Sequence, residues 1–71
     1  MIVLETIRER LIEAIKQSGL SLTEIANRLK IKQPTVSQYM SGRVMPALDT
    51  FANLCVILDL DPAYILGIKT D

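Results

Sequence analysis

Few side chains in this sequence could carry out covalent or metal chemistry. The 71 residues include no His and a single Cys, Cys55. A lone Cys forms neither an internal disulfide nor a cysteine metal site, and Cys55 is expected in the core. No Gly-rich phosphate loop and no nucleophile with a recognisable base are visible. The sequence therefore argues against an enzyme and predicts neither a metal nor a cofactor.

Hydrogen-bonding side chains without charge are concentrated in a helix predicted over residues 33–41. A helical projection separates this segment into an apolar side and an opposite side of small or polar residues. The apolar side carries Val36, Tyr39 and Met40. The opposite side carries Pro34, Ser37, Gln38 and Ser41. Taken alone, such a face is more often solvated than functional, so its meaning depends on the elements around it.

The pattern around this face is helical almost throughout, which predicts an all-α fold of five helices in one domain, residues 1–71. The first helix is expected over residues 4–18, where apolar residues recur every three or four positions. Ser21 and Glu24 form a capping box that starts the second helix. A fourth helix is expected over residues 47–58, and its broad inward face carries six residues, namely Leu48, Phe51, Ala52, Leu54, Cys55 and Leu58. Asp61 and Pro62 begin a short fifth helix that stops at Gly67.

Two short helices joined by a tight turn, over about residues 21–41, make a helix-turn-helix arrangement.

The sequence as a whole is neutral, because eight basic residues balance eight acidic ones. A zero total normally argues against a nucleic-acid binder. However, residues 25–48 contain four basic residues and no acid, namely Arg28, Lys30, Lys32 and Arg43. The acidic residues all lie in the flanks, although a solvated surface can also show such a run by chance.

Residues 19–37 (GLSLTEIANRLKIKQPTVS) resemble the core of the Cro and phage-repressor type helix-turn-helix family. The similarity continues through residues 41–43, 46–51 and 60–67 and covers roughly residues 5–67 without gaps. The resemblance implies five helices, with the third inserted into the DNA major groove. It also implies a dimer bound to a two-fold related operator in double-stranded DNA.

The resemblance assigns site residues by position. Those placed at base edges are Gln33, Pro34, Ser37 and Gln38. Those placed near phosphates are Ser21, Thr35, Ser41 and Arg43, and the basic segment adds Lys32 and Arg28. Each Gln amide can offer one donor and one acceptor to adenine, and Pro34 can touch a thymine methyl or simply start the helix.

Three departures from the family pattern involve four positions. Leu22 stands where the family often has Gln, and Lys30 stands where its turn usually has Gly. Lys30 is therefore predicted to adopt a left-handed conformation at some cost. Ile15 and Met40 occupy the positions of a partly buried ion pair, and an apolar contact is predicted to replace that pair.

Apolar residues in the C-terminal third predict a symmetric homodimer, formed through about residues 54–68. The candidate interface residues are Ile57, Tyr64, Ile65 and Ile68. The alternative is that these side chains merely close a small core. No membrane segment is expected, because the longest apolar stretch, residues 54–58, is far shorter than the roughly 20 residues of a span.

The sequence thus predicts a transcriptional regulator, most simply a repressor, in the cytoplasm of a bacterium or encoded by a phage. No small-molecule ligand is expected. The alternative function is a protein-interaction module, similar to an antitoxin or antirepressor, in which the helix-turn-helix serves only as a scaffold.

Overall fold

The computed structural model describes residues 1–69 and contains five helices and no strand within that range. The helices are α1 (Leu4–Gln17), α2 (Leu22–Leu29), α3 (Gln33–Met40), α4 (Leu48–Leu58) and α5 (Pro62–Ile65). The predicted all-α fold and helix order are confirmed. Within the same range, no helix combines the length and the apolar character needed to cross a bilayer.

One hydrophobic core is shared by all five helices. Its fully buried side chains are Leu11, Ile15, Ile25, Ala26, Val36, Leu54 and Ile65. Phe51, Leu58 and other half-buried apolar side chains pack around this cluster. Tyr39 and Cys55 are also buried, as predicted. Because α2 and α3 contribute only a few apolar residues each, neither buries an apolar face alone, and both depend on α1 and α4.

Local signals in the sequence mark where α2 and α5 begin. The Ser21 hydroxyl accepts a hydrogen bond from the Glu24 N–H at 3.1 Å, and the Ser21 N–H donates to Glu24 Oε1 at 3.4 Å. This reciprocal pair confirms the predicted capping box at the start of α2. At α5, Asp61 Oδ1 accepts from the Ala63 N–H at 3.1 Å, as expected of an Asp that precedes a helical Pro.

The turn between α2 and α3 depends on a left-handed residue that is not Gly. Lys30 has φ 59° and ψ 42°, as predicted from its position. The Ile31 N–H donates to the Ala26 carbonyl at 3.0 Å, and the Lys30 N–H donates to the Asn27 carbonyl at 3.2 Å. These two bonds form a Schellman motif, which stops α2 and directs the chain into α3.

The inward face predicted for α4 was too broad. Leu48 is 84% exposed and Ala52 is exposed. Ala52 lies about 160° around the helix from the fully buried Leu54, so it faces away from the core. Leu48 begins α4 and lies at the rim of a shallow apolar groove that also contains Phe51 and Met45.

Ile15 and Met40, which are predicted to replace the family's ion pair by an apolar contact, lie in one region of the structure. Ile15 is fully buried, and Met40 is half-buried against the core cluster that contains Ile15. Their direct contact remains a prediction.

The conformation of Lys30 generates a stability prediction. Lys30→Gly should stabilise the fold by about 1 kcal/mol, because Gly adopts a left-handed conformation without the Cβ clash that Lys experiences. Thermal unfolding followed by circular dichroism should then show a midpoint roughly 4–8 °C higher. Lys30→Ala is the control and should give no increase, since Ala retains the Cβ. An unchanged midpoint for Lys30→Gly would contradict the prediction.

Candidate nucleic-acid interface

The rotation of α3 about its own axis is fixed by burial of its apolar side. Val36 is completely buried and Tyr39 is almost so. Ser37 and Gln38 are consequently exposed on the other side, whereas Gln33 is exposed because it begins the helix. The helical projection therefore predicted the orientation of this helix correctly. Pro34, in the first turn of α3, is exposed as well.

The C-terminal turn of α3 brings a hydroxyl and a guanidinium beside the exposed glutamine. Gly42 has φ 78°, and the Arg43 N–H donates to the Gln38 carbonyl at 3.2 Å. Ser41 Oγ donates to the same carbonyl at 3.0 Å and accepts from the Arg43 N–H at 3.4 Å. The turn thus folds back over the last turn of the helix.

Four predicted site residues meet in one shallow concavity. Ser37, Gln38, Ser41 and Arg43 line an open depression of about 230 Å³. It combines two residues predicted to read bases with two predicted to contact phosphates. Gln33 and Pro34 lie at the other end of α3 and do not line this depression.

The basic side chains of the α2–α4 segment are available to a charged partner. Arg28, Lys30, Lys32 and Arg43 are all exposed. Within residues 1–69, the ion pairs join Arg8 to Glu5 and Lys69 to Asp61, and neither involves the basic segment. Among residues 1–69, none of these four cations is therefore held in an ion pair.

Two predicted phosphate contacts have other partners in the fold. Ser21 is engaged in the capping box, which holds the Glu24 carboxylate beside it. A carboxylate repels a phosphate, so this is the least favourable of the predicted phosphate positions. Thr35 is half-buried, and its N–H donates to the Lys32 carbonyl at 3.0 Å in the first turn of α3.

The predicted dimer residues do not form a single exposed set. Tyr64 and Ile68 are exposed, whereas Ile57 is half-buried. Ile65 is only 2% exposed and belongs to the core of the protomer, so its placement at an interface was wrong. Sequence reasoning also overlooked Val56, which is 80% exposed on α4 within the same region.

Tyr64 is held in place by an arginine of α1. The Arg10 guanidinium carbon lies 4.4 Å from the centre of the Tyr64 ring, and Arg10 Nη1 donates to the Tyr64 carbonyl at 2.6 Å. A cation over an aromatic face and a charged hydrogen bond together join α1 to α5. Sequence spacing does not reveal this contact, since the two residues are 54 positions apart.

Two ionisable groups near α5 have shifted pKa values. Desolvation opposes the ionisation of Asp61, but hydrogen bonds from Lys69 and from the Tyr64 and Ala63 N–H groups, with the Lys69 charge, lower its pKa below the usual value for an Asp. Burial raises the pKa of the Cys55 thiol, and the Asp61 charge adds to the effect. Both groups lie outside α3. Among residues 1–69, no three His, Cys, Asp or Glu side chains are grouped closely enough to hold a metal ion.

A residue that the sequence did not single out, Arg8 of α1, lies against the turn after α3. Its Cδ is 3.0 Å from the position that a Cβ on Gly42 would occupy. Arg8 and Gly42 are far apart in the sequence, and no local pattern predicts their contact.

A comparison with known protein families agrees with the arrangement of α2 and α3. The family model described as helix-turn-helix, of the Cro and phage-repressor type, matches residues 11–65, which include all of α2, α3 and α4. Searches of curated proteins and of solved structures give no significant match. The match spans more than half of the chain and contains the exposed face of α3 and the basic segment. The chain therefore belongs to the helix-turn-helix family and is a DNA-binding regulator of that family.

Proposed function

We propose that this protein is a sequence-specific repressor that inserts α3 into the major groove and binds a two-fold symmetric operator as a homodimer. The observation that carries the proposal is the exposed, uncharged polar face of α3 beside four exposed basic residues. Such a face reads base edges, while the surrounding cations bind the phosphate backbone.

Base reading is assigned to Gln33, Pro34, Ser37 and Gln38. A Gln amide matches the N6–H donor and N7 acceptor that adenine presents in the major groove. The Ser37 hydroxyl can donate or accept, and the Pro34 ring offers an apolar surface to a thymine methyl. The exposure of all four side chains supports this assignment.

Phosphate binding is assigned chiefly to Arg43, which shares a concavity with Gln38. Lys32 and Arg28 add charge on the same segment, and Ser41, Thr35 and Ser21 complete the proposed contacts. These interactions supply affinity and register without regard to sequence, and they weaken as salt concentration rises.

A dimer would double the contacts of this small domain. Successive major grooves on one face of DNA lie about 34 Å apart. The protomer measures 33 Å along its longest axis, so two copies related by a two-fold axis have the dimensions to reach both grooves. Exposed Tyr64 and Ile68, with half-buried Ile57, support an interface at α5 and the adjoining end of α4.

Repression is the simplest regulatory outcome of this design. A dimer on an operator that overlaps a promoter blocks polymerase by occupancy alone, whereas activation requires a further protein contact.

The alternative is a protein-interaction module that uses the helix-turn-helix as a scaffold. The observation that favours it is the exposure of two large apolar side chains on α4, Leu48 and Val56. Failure to bind any duplex even at low salt would support this alternative.

Selection of bound sequences from a random duplex library is the direct test of the proposal. We expect an enriched motif with two inverted half-sites whose centres are separated by about one helical turn. Enrichment of a single half-site would contradict the dimer, and the absence of any enriched motif would contradict sequence-specific reading.

Gln38→Ala should relax base preference rather than abolish binding. On the selected duplex we expect a loss of roughly 1–3 kcal/mol, because one donor–acceptor pair with a base is removed. On random DNA the dissociation constant should remain nearly the same. Gln17→Ala removes an equally exposed Gln from α1 and serves as the control. Equal losses on both duplexes for Gln38→Ala would reject its role in reading bases.

Arg43→Ala should weaken binding to all sequences by a similar factor. The slope of log K against log salt should become shallower by about 0.9, the value for one phosphate contact. The comparison variant is Lys16→Ala, which removes an exposed cation outside the basic segment. A loss confined to the selected duplex would show that Arg43 does not act through phosphate.

The homodimer predicts a mass that depends on concentration in analytical ultracentrifugation. Ile68→Asp should shift the equilibrium toward the monomer, because it places a charge at an exposed apolar position of the proposed interface. Leu48→Asp alters an equally exposed apolar residue elsewhere and should leave the equilibrium unchanged. A monomer mass at every concentration of the unmodified protein would contradict the dimer.

A further inference from the structure

Arg8 is an arginine whose surroundings do not suit an ordinary surface charge. Its side chain is 27% exposed, and its stem lies against the turn that follows α3. Cδ, Nε and Cγ lie 3.0, 3.8 and 3.9 Å from the position of a Cβ on Gly42. The absence of a side chain at Gly42 therefore leaves the space that the Arg8 stem occupies.

The polar contacts of Arg8 do not explain its position. Its Nε is buried and has no hydrogen-bond partner among residues 1–69. Its Nη1 lies 3.3 Å from Oε1 of Glu5, but that carboxylate is well exposed, and ion pairs of this kind contribute little. Packing of the aliphatic stem is the interaction that remains, as in other long charged side chains that cover apolar surface.

We propose that Arg8 is a positioning residue for DNA binding, whose stem supports the turn that carries Ser41 and Arg43. This inference rests on the proposed phosphate contacts of those two residues. Because Arg43 follows Gly42 directly, a shift of the Gly42 backbone moves the base of the Arg43 side chain.

The part of the turn after Gly42 gains from such a support, because the Arg43 and Val44 N–H groups make longer hydrogen bonds than those of Ser41 and Gly42, which donate at 3.0 and 3.1 Å. The Arg43 N–H lies 3.2 Å from the Gln38 carbonyl and 3.4 Å from Ser41 Oγ, and the Val44 N–H lies 3.4 Å from the same carbonyl. Ser41 and Arg43 are both exposed, so solvent competes for these bonds. A side chain packed from α1 restricts the turn from the protein side.

Three variants separate the possible roles of Arg8. Arg8→Ala removes the stem and the guanidinium, whereas Arg8→Met retains an unbranched stem without charge. Glu5→Ala removes the ion pair alone and is the matched control. For each variant, ¹H–¹⁵N spectra of the free protein report on Gly42 and Arg43, and titrations with the selected and random duplexes give the affinity and its salt dependence.

We expect Arg8→Ala to shift the Gly42 and Arg43 amide resonances in the free protein. It should weaken binding to both duplexes roughly 3- to 10-fold, as for one weakened contact to a charged group. Arg8→Met and Glu5→Ala should remain close to the unmodified protein in both measurements. All measurements are made at a temperature where circular dichroism shows every variant folded. Rescue of DNA affinity by Met then identifies the aliphatic stem as the part of Arg8 that supports the turn.

Two results would overturn the inference. The first is that Arg8→Met loses as much DNA affinity as Arg8→Ala and that the slope of log K against log salt becomes shallower. That result would make the guanidinium a direct phosphate contact. The second is unshifted Gly42 and Arg43 resonances in Arg8→Ala. Failure of the proposed function would differ from failure of this inference. In that case Arg43→Ala would leave DNA affinity unaltered, while the resonance shifts in Arg8→Ala would persist.

Discussion

The burial of Val36 and Tyr39 determines which side chains of α3 a partner can touch. Val36, Ile25 and Leu54 are all fully buried within the shared core, and full burial of one such side chain is worth about 1.5–3 kcal/mol. Turning α3 by half a turn, about 180°, would expose this apolar side and bury Ser37 and the amide of Gln38. The short helix therefore has a single favourable orientation. Burial of its apolar side, rather than hydrogen bonds made by its polar side chains, is what exposes the polar face.

The remaining elements hold α3 in that orientation from both ends. At its start, the Schellman motif at Lys30 places the chain so that Pro34 enters the first turn of the helix. At its end, the left-handed Gly42 folds the chain back against Gln38 and toward Arg8 of α1. The basic residues lie on this same segment, so a chain with no net charge presents a local cationic surface at the reading face. Net charge alone is a poor guide to such a surface, because electrostatic attraction acts over about 10 Å at ordinary salt.

Features that depend on neighbouring residues in the chain could be predicted from the sequence. The capping box at Ser21 and the cap at Asp61 each follow from a few adjacent residues, the left-handed Lys30 follows from the Gly that the family usually has there, and the structure confirms all three. The exposed face of α3 followed from helical periodicity.

Features that depend on packing were harder to predict from the sequence. Tyr64, Ile65 and Ile68 are crowded into one short segment, and periodicity over so few residues does not determine which of them enters the core. The contacts of Arg8 with Gly42 and of Arg10 with Tyr64 join distant parts of the chain, so they appear only in the folded protein.

The proposed function requires the polar face of α3 to contact DNA bases. Titration of ¹⁵N-labelled protein with the selected duplex tests it most directly, with the side-chain amide resonances of Gln33 and Gln38 as probes. We expect these resonances to shift on binding at moderate salt, together with the backbone amides of residues 33–43, while the side-chain amide of Gln17 does not. Shifts confined to α4 and α5, with the Gln33 and Gln38 side chains unaffected, would contradict it.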